Sequence, residues 1–146
     1  MGKALLIIAA ALAAGCATPS HPGDPGGISG GVQAQTGRAF DIAVGQEAQV
    51  QGTPLTIRAI GVSDESRCPS DVQCVWAGNA IVRLLVTLQG SPGTEIRLNT
   101  GLDPKATTVA GYSIILTGLT PYPRSGTTIE QASYVATLEV RPVQTG

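Results

Sequence analysis

The chain has 146 residues, and nine Lys+Arg against ten Asp+Glu leave a formal net charge of −1. After Lys3 the basic residues stand singly from Arg38 to Arg141. No basic stripe exists to displace counterions from a phosphate backbone, which excludes nucleic acid as an expected partner. No run of like charge marks an interaction tail.

The first expected element is a leader. Lys3 precedes an apolar run of 11 residues, Ala4 to Ala14. At about 1.5 Å per residue a helix of that length spans roughly 16 Å, half of a bilayer's hydrocarbon core, so it suits a signal-peptide core better than a membrane span. The end Ala13-Ala14-Gly15-Cys16 resembles the lipobox of bacterial lipoproteins. The usual leucine three places before the cysteine is Ala13 here, with Leu12 one place further back. The resemblance implies cleavage before Cys16, a diacylglycerol on its sulfur and a fatty acid, typically palmitate, on its new amino group. Two or three acyl chains, at about 0.8 kcal/mol per buried CH₂, hold a small domain durably on a membrane. Ala17, where inner-membrane lipoproteins carry Asp, favours the outer membrane. The expected location is the cell envelope, lipid-anchored, facing the periplasm or the cell surface.

Residues 16–37 follow as a lipidated cysteine and a tether rich in Gly, Pro, Ser, Thr and Gln. Such a segment buries too little apolar surface to offset its ordering entropy. A Gly-rich coil of about 21 residues has an r.m.s. reach of roughly 25 Å. His21, the one histidine of the chain, lies in it and reads as solvated linker. No metal and no cofactor are expected.

Residues 38–146 read as one all-β domain, large enough for a proper core. Alternation of apolar and polar residues predicts strands over Glu47–Gln51, Leu55–Val62, Ala80–Leu88, Glu95–Leu98, Tyr112–Leu119 and Tyr134–Arg141, with one more near Phe40–Val44. Gly52-Thr53-Pro54 and Gly90-Ser91-Pro92-Gly93 read as turns. No stretch sustains a 3.6-residue period. Short strands at this spacing predict a single antiparallel β-sandwich of Ig-like or Greek-key type with seven or eight strands, a small barrel being the second choice. Two longer connections remain, Ser63–Gly78 and Thr120–Ala132, and function usually sits on connections carried by a rigid scaffold.

The first connection holds Cys68 and Cys74. With Cys16 acylated, they form an even pair in an oxidising compartment, and a disulfide is expected. Their spacing is neither the C-x-x-C of dithiol redox chemistry nor that of a zinc knuckle. The string Ser66-Arg67-Cys68-Pro69, then Cys74-Val75-Trp76-Ala77-Gly78 and Ala80, resembles a pattern of small uncharacterised bacterial lipoproteins. A later segment of that pattern resembles Leu119-Thr120-Pro121-Tyr122-Pro123. The resemblance implies a shared β fold and a surface address, and brings no catalytic residue with it.

The expected domain contains no histidine. That removes Ser-His-Asp, Cys-His and His-metal sites within it. A carboxylate pair remains available from Asp64, Glu65 and Asp71, but their polar neighbours favour solvation and a local ion pair over the desolvated state acid–base work needs. Trp76 is expected to pack on the disulfide or the sheet edge, and Tyr122 to cover one end of the sandwich. If the loop is instead presented, Arg67, Asp71, Trp76 and Tyr122 are its contact residues. The expected function is a non-enzymatic binding or envelope-structural module, partnered by the membrane through its anchor and by a protein of the cell envelope. Two alternatives are an inhibitor offering the disulfide loop 66–78 to a target and a hydrolase using the loop carboxylates.

Overall fold

The computed structural model describes residues 31–144. The leader, Cys16 and most of the expected tether lie outside them. In chain order the strands are β1 Val32–Gln35, β2 Ala39–Ala43, β3 Glu47–Gln51, β4 Leu55–Ser63, β5 Ile81–Leu88, β6 Thr94–Asn99, β7 Ala106–Val109, β8 Tyr112–Thr120 and β9 Val135–Pro142. One 3₁₀ turn, Gln131–Ser133, precedes β9. The strands form two sheets, ordered β1-β3-β4-β5-β6 and β2-β9-β8-β7. The fold is a β-sandwich. The sheets do not close on each other, so the barrel is not formed.

Alternation explains the layers. Val82, Leu84 and Val86 of β5 point inward with Leu55 and Ile57 of β4 and Leu98 of β6. From the other sheet they meet Ile42, Ile114, Leu138 and Val140, and both sets belong to one buried cluster. Each fully buried aliphatic side chain contributes about 1.5–3 kcal/mol relative to its exposed state. On the outer face of the larger sheet, Arg83 lies directly opposite Arg97. The Glu95 carboxylate bridges them at 2.9 and 3.1 Å. Hydrogen bonds from Arg83 and Arg97 hold its pKa down at about 2.

Two strands depart from the expectation. Composition assigns Val32–Gln35 to the tether, yet these residues form β1, which runs beside β3 in register Val32↔Ala48. An edge strand needs few inward side chains, here buried Ala34 and half-buried Val32, because its backbone bonds come from the neighbour. This pairing is parallel, so the sandwich is not wholly antiparallel. β7 is the second departure. It hairpins onto β8 through Ala110-Gly111, both at positive φ, the conformation that tight two-residue hairpins require.

Two β-bulges change which residues face inward. In β4 the register slips between Ala59 and Gly61, so the buried series Leu55, Ile57, Ala59 continues at Val62. In β8 the slip lies between Leu116 and Gly118, so Ile114 and Leu116 are succeeded on the inward face by Leu119. Bulges bend the strand and re-aim the side chains beyond the bend, and they are frequent beside functional sites. Here both lead into one end of the sandwich, where β4 passes to the cysteine loop and β8 to the Thr120–Ala132 connection.

Beyond Glu47↔Arg58, β3 no longer accompanies β4. The side-chain amide of Gln131 fills that edge. It accepts from Val62 N–H and donates to Val62 C=O, each at 2.9 Å. A glutamine thus acts as a one-residue strand and locks the later connection to β4.

Candidate functional site

The cysteine loop is a distorted extension of the β4–β5 hairpin. Ser66 N–H donates to Asn79 C=O at 2.7 Å, and Cys68 N–H to Ala77 C=O at 3.0 Å. Cys68 and Cys74 form a disulfide with a Cα–Cα distance of 5.9 Å. At the base, the Asn79 amide donates to Asn99 Oδ1 at 2.8 Å and accepts from Gly101 N–H at 2.9 Å. The second long connection flanks the loop. Ser70 N–H donates to Pro123 C=O, and Ser125 N–H donates to the Asp71 carboxylate, both at 2.9 Å. That hydrogen bond from Ser125 holds the Asp71 carboxyl below its ordinary value.

Arg67 joins these parts. Although Arg67 is only 7% exposed, every face of its guanidinium is occupied. Its Nη1 donates to Leu119 C=O at 2.6 Å and its Nη2 to Pro121 C=O at 2.8 Å. Nε and Nη2 grip the two oxygens of Glu65. The Tyr122 ring lies against the guanidinium carbon at 5.1 Å, within cation–π range. Glu65 also accepts from the Tyr134 hydroxyl at 3.1 Å. Partial burial by itself would raise the Glu65 pKa, but the hydrogen bonds and charge of Arg67 outweigh it and the carboxyl titrates below its ordinary value. Burial, and then the bond to Glu65, push the Tyr134 hydroxyl up.

The structure separates the four residues read as contacts. Arg67 is turned inward and braces the loop from below. Asp71 is exposed but tied to Ser125. Tyr122 is 63% exposed with one face on Arg67, so it is both brace and surface. Trp76 corrects the packing expectation. It is 82% exposed and its neighbour Val75 is 91% exposed. The disulfide closes its ring at Cys74, before both side chains, and the loop base, where Gly78 and Gly101 approach each other, offers only an open groove that leaves the indole in water. Trp76→Ala should therefore change the unfolding free energy by no more than about 0.5 kcal/mol, the range of surface substitutions. A loss of several kcal/mol in urea melts would restore the packing role.

Sequence reasoning missed Leu102. It is 61% exposed and shares with Trp76 a shallow groove of about 390 Å³ floored by Gly78 and Gly101. Its only signal was a large aliphatic residue inside a turn-rich stretch. A second hollow, of about 410 Å³, is lined in part by Asp64, Glu65, Gln131 and Tyr134. Among the described residues no group of three His, Cys, Asp or Glu side chains stands close enough to hold a metal ion.

Comparison of the chain with protein-family models, with curated proteins and with solved structures found no match.

Proposed function

We propose that this protein is a lipid-anchored, non-enzymatic binding module of the bacterial cell envelope, and that the disulfide loop is its contact surface. The observation that carries the reading is the pairing of a loop braced at every level with side chains it leaves in water. Arg67, Asn79 and the disulfide hold the backbone, while Val75 and Trp76 project from it. Large apolar side chains on a pre-organised loop are the usual anchors of recognition, because little entropy is lost when they are covered. The hydrolase alternative finds less support. Both Glu65 oxygens are engaged and its pKa is lowered, the opposite of what a general acid needs. The inhibitor alternative uses the same loop and differs only in the target.

The anchor and the loop are tested separately. Cys16→Ser should abolish acylation and move the protein from the membrane to the soluble fraction. Membrane retention of the variant, together with wild type that takes up no labelled fatty acid, would end the lipoprotein reading. A photoreactive residue in place of Val75 should give cross-linked adducts in envelope membranes, whereas one at Thr108, on the outlying strand β7, should not. Equal yields from both sites would remove the loop from the function.

A further inference from the structure

We infer that the partner of the loop is the lipid surface itself, so that the end of the sandwich carrying Trp76 docks on the membrane that holds the anchor. The inference rests on the proposed acylation of Cys16 and names what the loop binds.

Chain direction is the first support. β4 runs toward the cysteine loop and ends at Ser63. β3 is antiparallel to β4 and β1 is parallel to β3, so β1 runs away from the loop. Residue 31 is therefore the loop-ward terminus of β1, and a Cβ on Gly31 would lie 3.3 Å from Glu47 C=O, at the start of β3. The C-terminal strand β9 ends at the opposite pole, with Pro142 beside Tyr112. A tether joined at residue 31 thus pulls on the half of the domain that bears the loop.

The distances agree. Glu47 is level with Arg58. Five further residues of β4 carry the chain about 16 Å toward the loop, at about 3.3 Å each, and the loop itself extends beyond Ser63. Fourteen residues lie between Cys16 and Gly31. Fifteen Cα steps of about 3.3–3.6 Å span at most roughly 50–54 Å. A domain standing on its loop end therefore lies within reach of the anchor.

Side-chain chemistry is the third support. Val72, Val75, Trp76 and Leu102 are exposed aliphatic and indole side chains of this end, and Trp76 and Leu102 flank one groove. Tryptophan favours the headgroup boundary because its ring is apolar and its N–H is wet. Arg67 is engaged by Glu65, and Arg124 is the one other Arg or Lys of the two long connections, so no basic cluster draws the loop to anionic lipid, and apolar insertion supplies the contact.

Trp76 is the only tryptophan of the chain, which makes it its own probe. The test takes the mature protein purified from membranes and reconstituted in vesicles of phosphatidylethanolamine and phosphatidylglycerol, mixed three to one. Flotation reads the anchor, and quenching of Trp76 by lipids brominated near the headgroup reads the loop. The expected result is flotation, a blue-shifted emission and a loss of intensity to the brominated lipid that is absent with unbrominated lipid. Val75→Asp, at a site almost fully in water, should float as well but lose most of the quenching. Protein that floats with Trp76 unquenched overturns this inference and leaves the anchor standing. Protein that does not float overturns both. Equal quenching in wild type and Val75→Asp also overturns it. So does a Trp76 that is unquenched on vesicles yet shielded in whole envelope membranes, which would assign the loop to a protein.

Discussion

Arg67→Ala should lower the stability of the domain by about 3–5 kcal/mol, the usual cost of removing one partner from a buried ion pair. The reason is what stays behind. Leu119 and Pro121 lose the donor to their carbonyl groups, and the Glu65 carboxylate keeps only Tyr134 and the Arg67 backbone N–H as donors. Pro121 and Tyr122 also lose their tie to the cysteine loop, which leaves the Ser70–Pro123 and Asp71–Ser125 hydrogen bonds to join the two long connections. Urea unfolding of the two proteins checks this, and a loss below about 1 kcal/mol would show that Arg67 is not the brace. Removing both charges should cost less. Glu65→Gln with Arg67→Met leaves no isolated ion, and replacing a whole buried pair is often near neutral. The pair also predicts a pH dependence. Glu65 titrates below its ordinary value near 4.5 in the folded protein. Its contribution is therefore complete above that value and is lost as pH falls through the folded pKa. Glu65→Gln should be less stable than wild type at neutral pH, and the difference should shrink in acid. A difference that grows in acid would contradict the ion pair.

Gly78→Ala should destabilise the domain by about 2–5 kcal/mol, from two costs that add. Gly78 has φ +71°, where an L-residue loses about 1–2 kcal/mol. A methyl group there would also overlap the Ser66 carbonyl, which is backbone of a residue tied to Asn79 through its N–H and hydroxyl, and overpacking of this kind costs about 1–3 kcal/mol. The loop cannot move away cheaply, because Gly78 C=O is itself pressed against Gly101. The same melts decide the matter. A shift under about 1 kcal/mol would mean that the base of the loop yields and that Trp76 is not rigidly presented. In that case the loop would lose affinity to the cost of ordering it.

The strongest strands were legible because their burial is one-sided. Val82, Leu84 and Val86 alternate with Arg83 and Thr87, and period two has no other use in a chain with so little helical pattern. The cysteine pair was legible because two thiols six residues apart, in a domain read as exported, have few fates. β1 was not legible. Only Ala34 among its residues is fully buried, and its backbone bonds come from β3, sixteen residues further on in register. The Gln131 clamp on Val62 was equally hidden, since glutamine in a turn-rich stretch gives no sign of which backbone it will meet.

Trp76 shows where local reading stops. A lone tryptophan beside a disulfide and ahead of a core strand argues for burial, but burial needs a hollow, and a hollow is made by distant parts. Arg67 shows the converse. It reads as an exposed contact, yet the bulge in β8 carries Leu119 and Pro121 over it, and Glu65 and Tyr134 close the other side. By itself the sequence determined the sandwich, the strand phases and the disulfide, because alternation, turn residues and cysteine count are local properties. Only the tertiary structure decided which charged residue is buried, which aromatic residue is left in water, and that β1 begins at the same end as the loop. Those depend on register and chain direction, which no short window of residues contains.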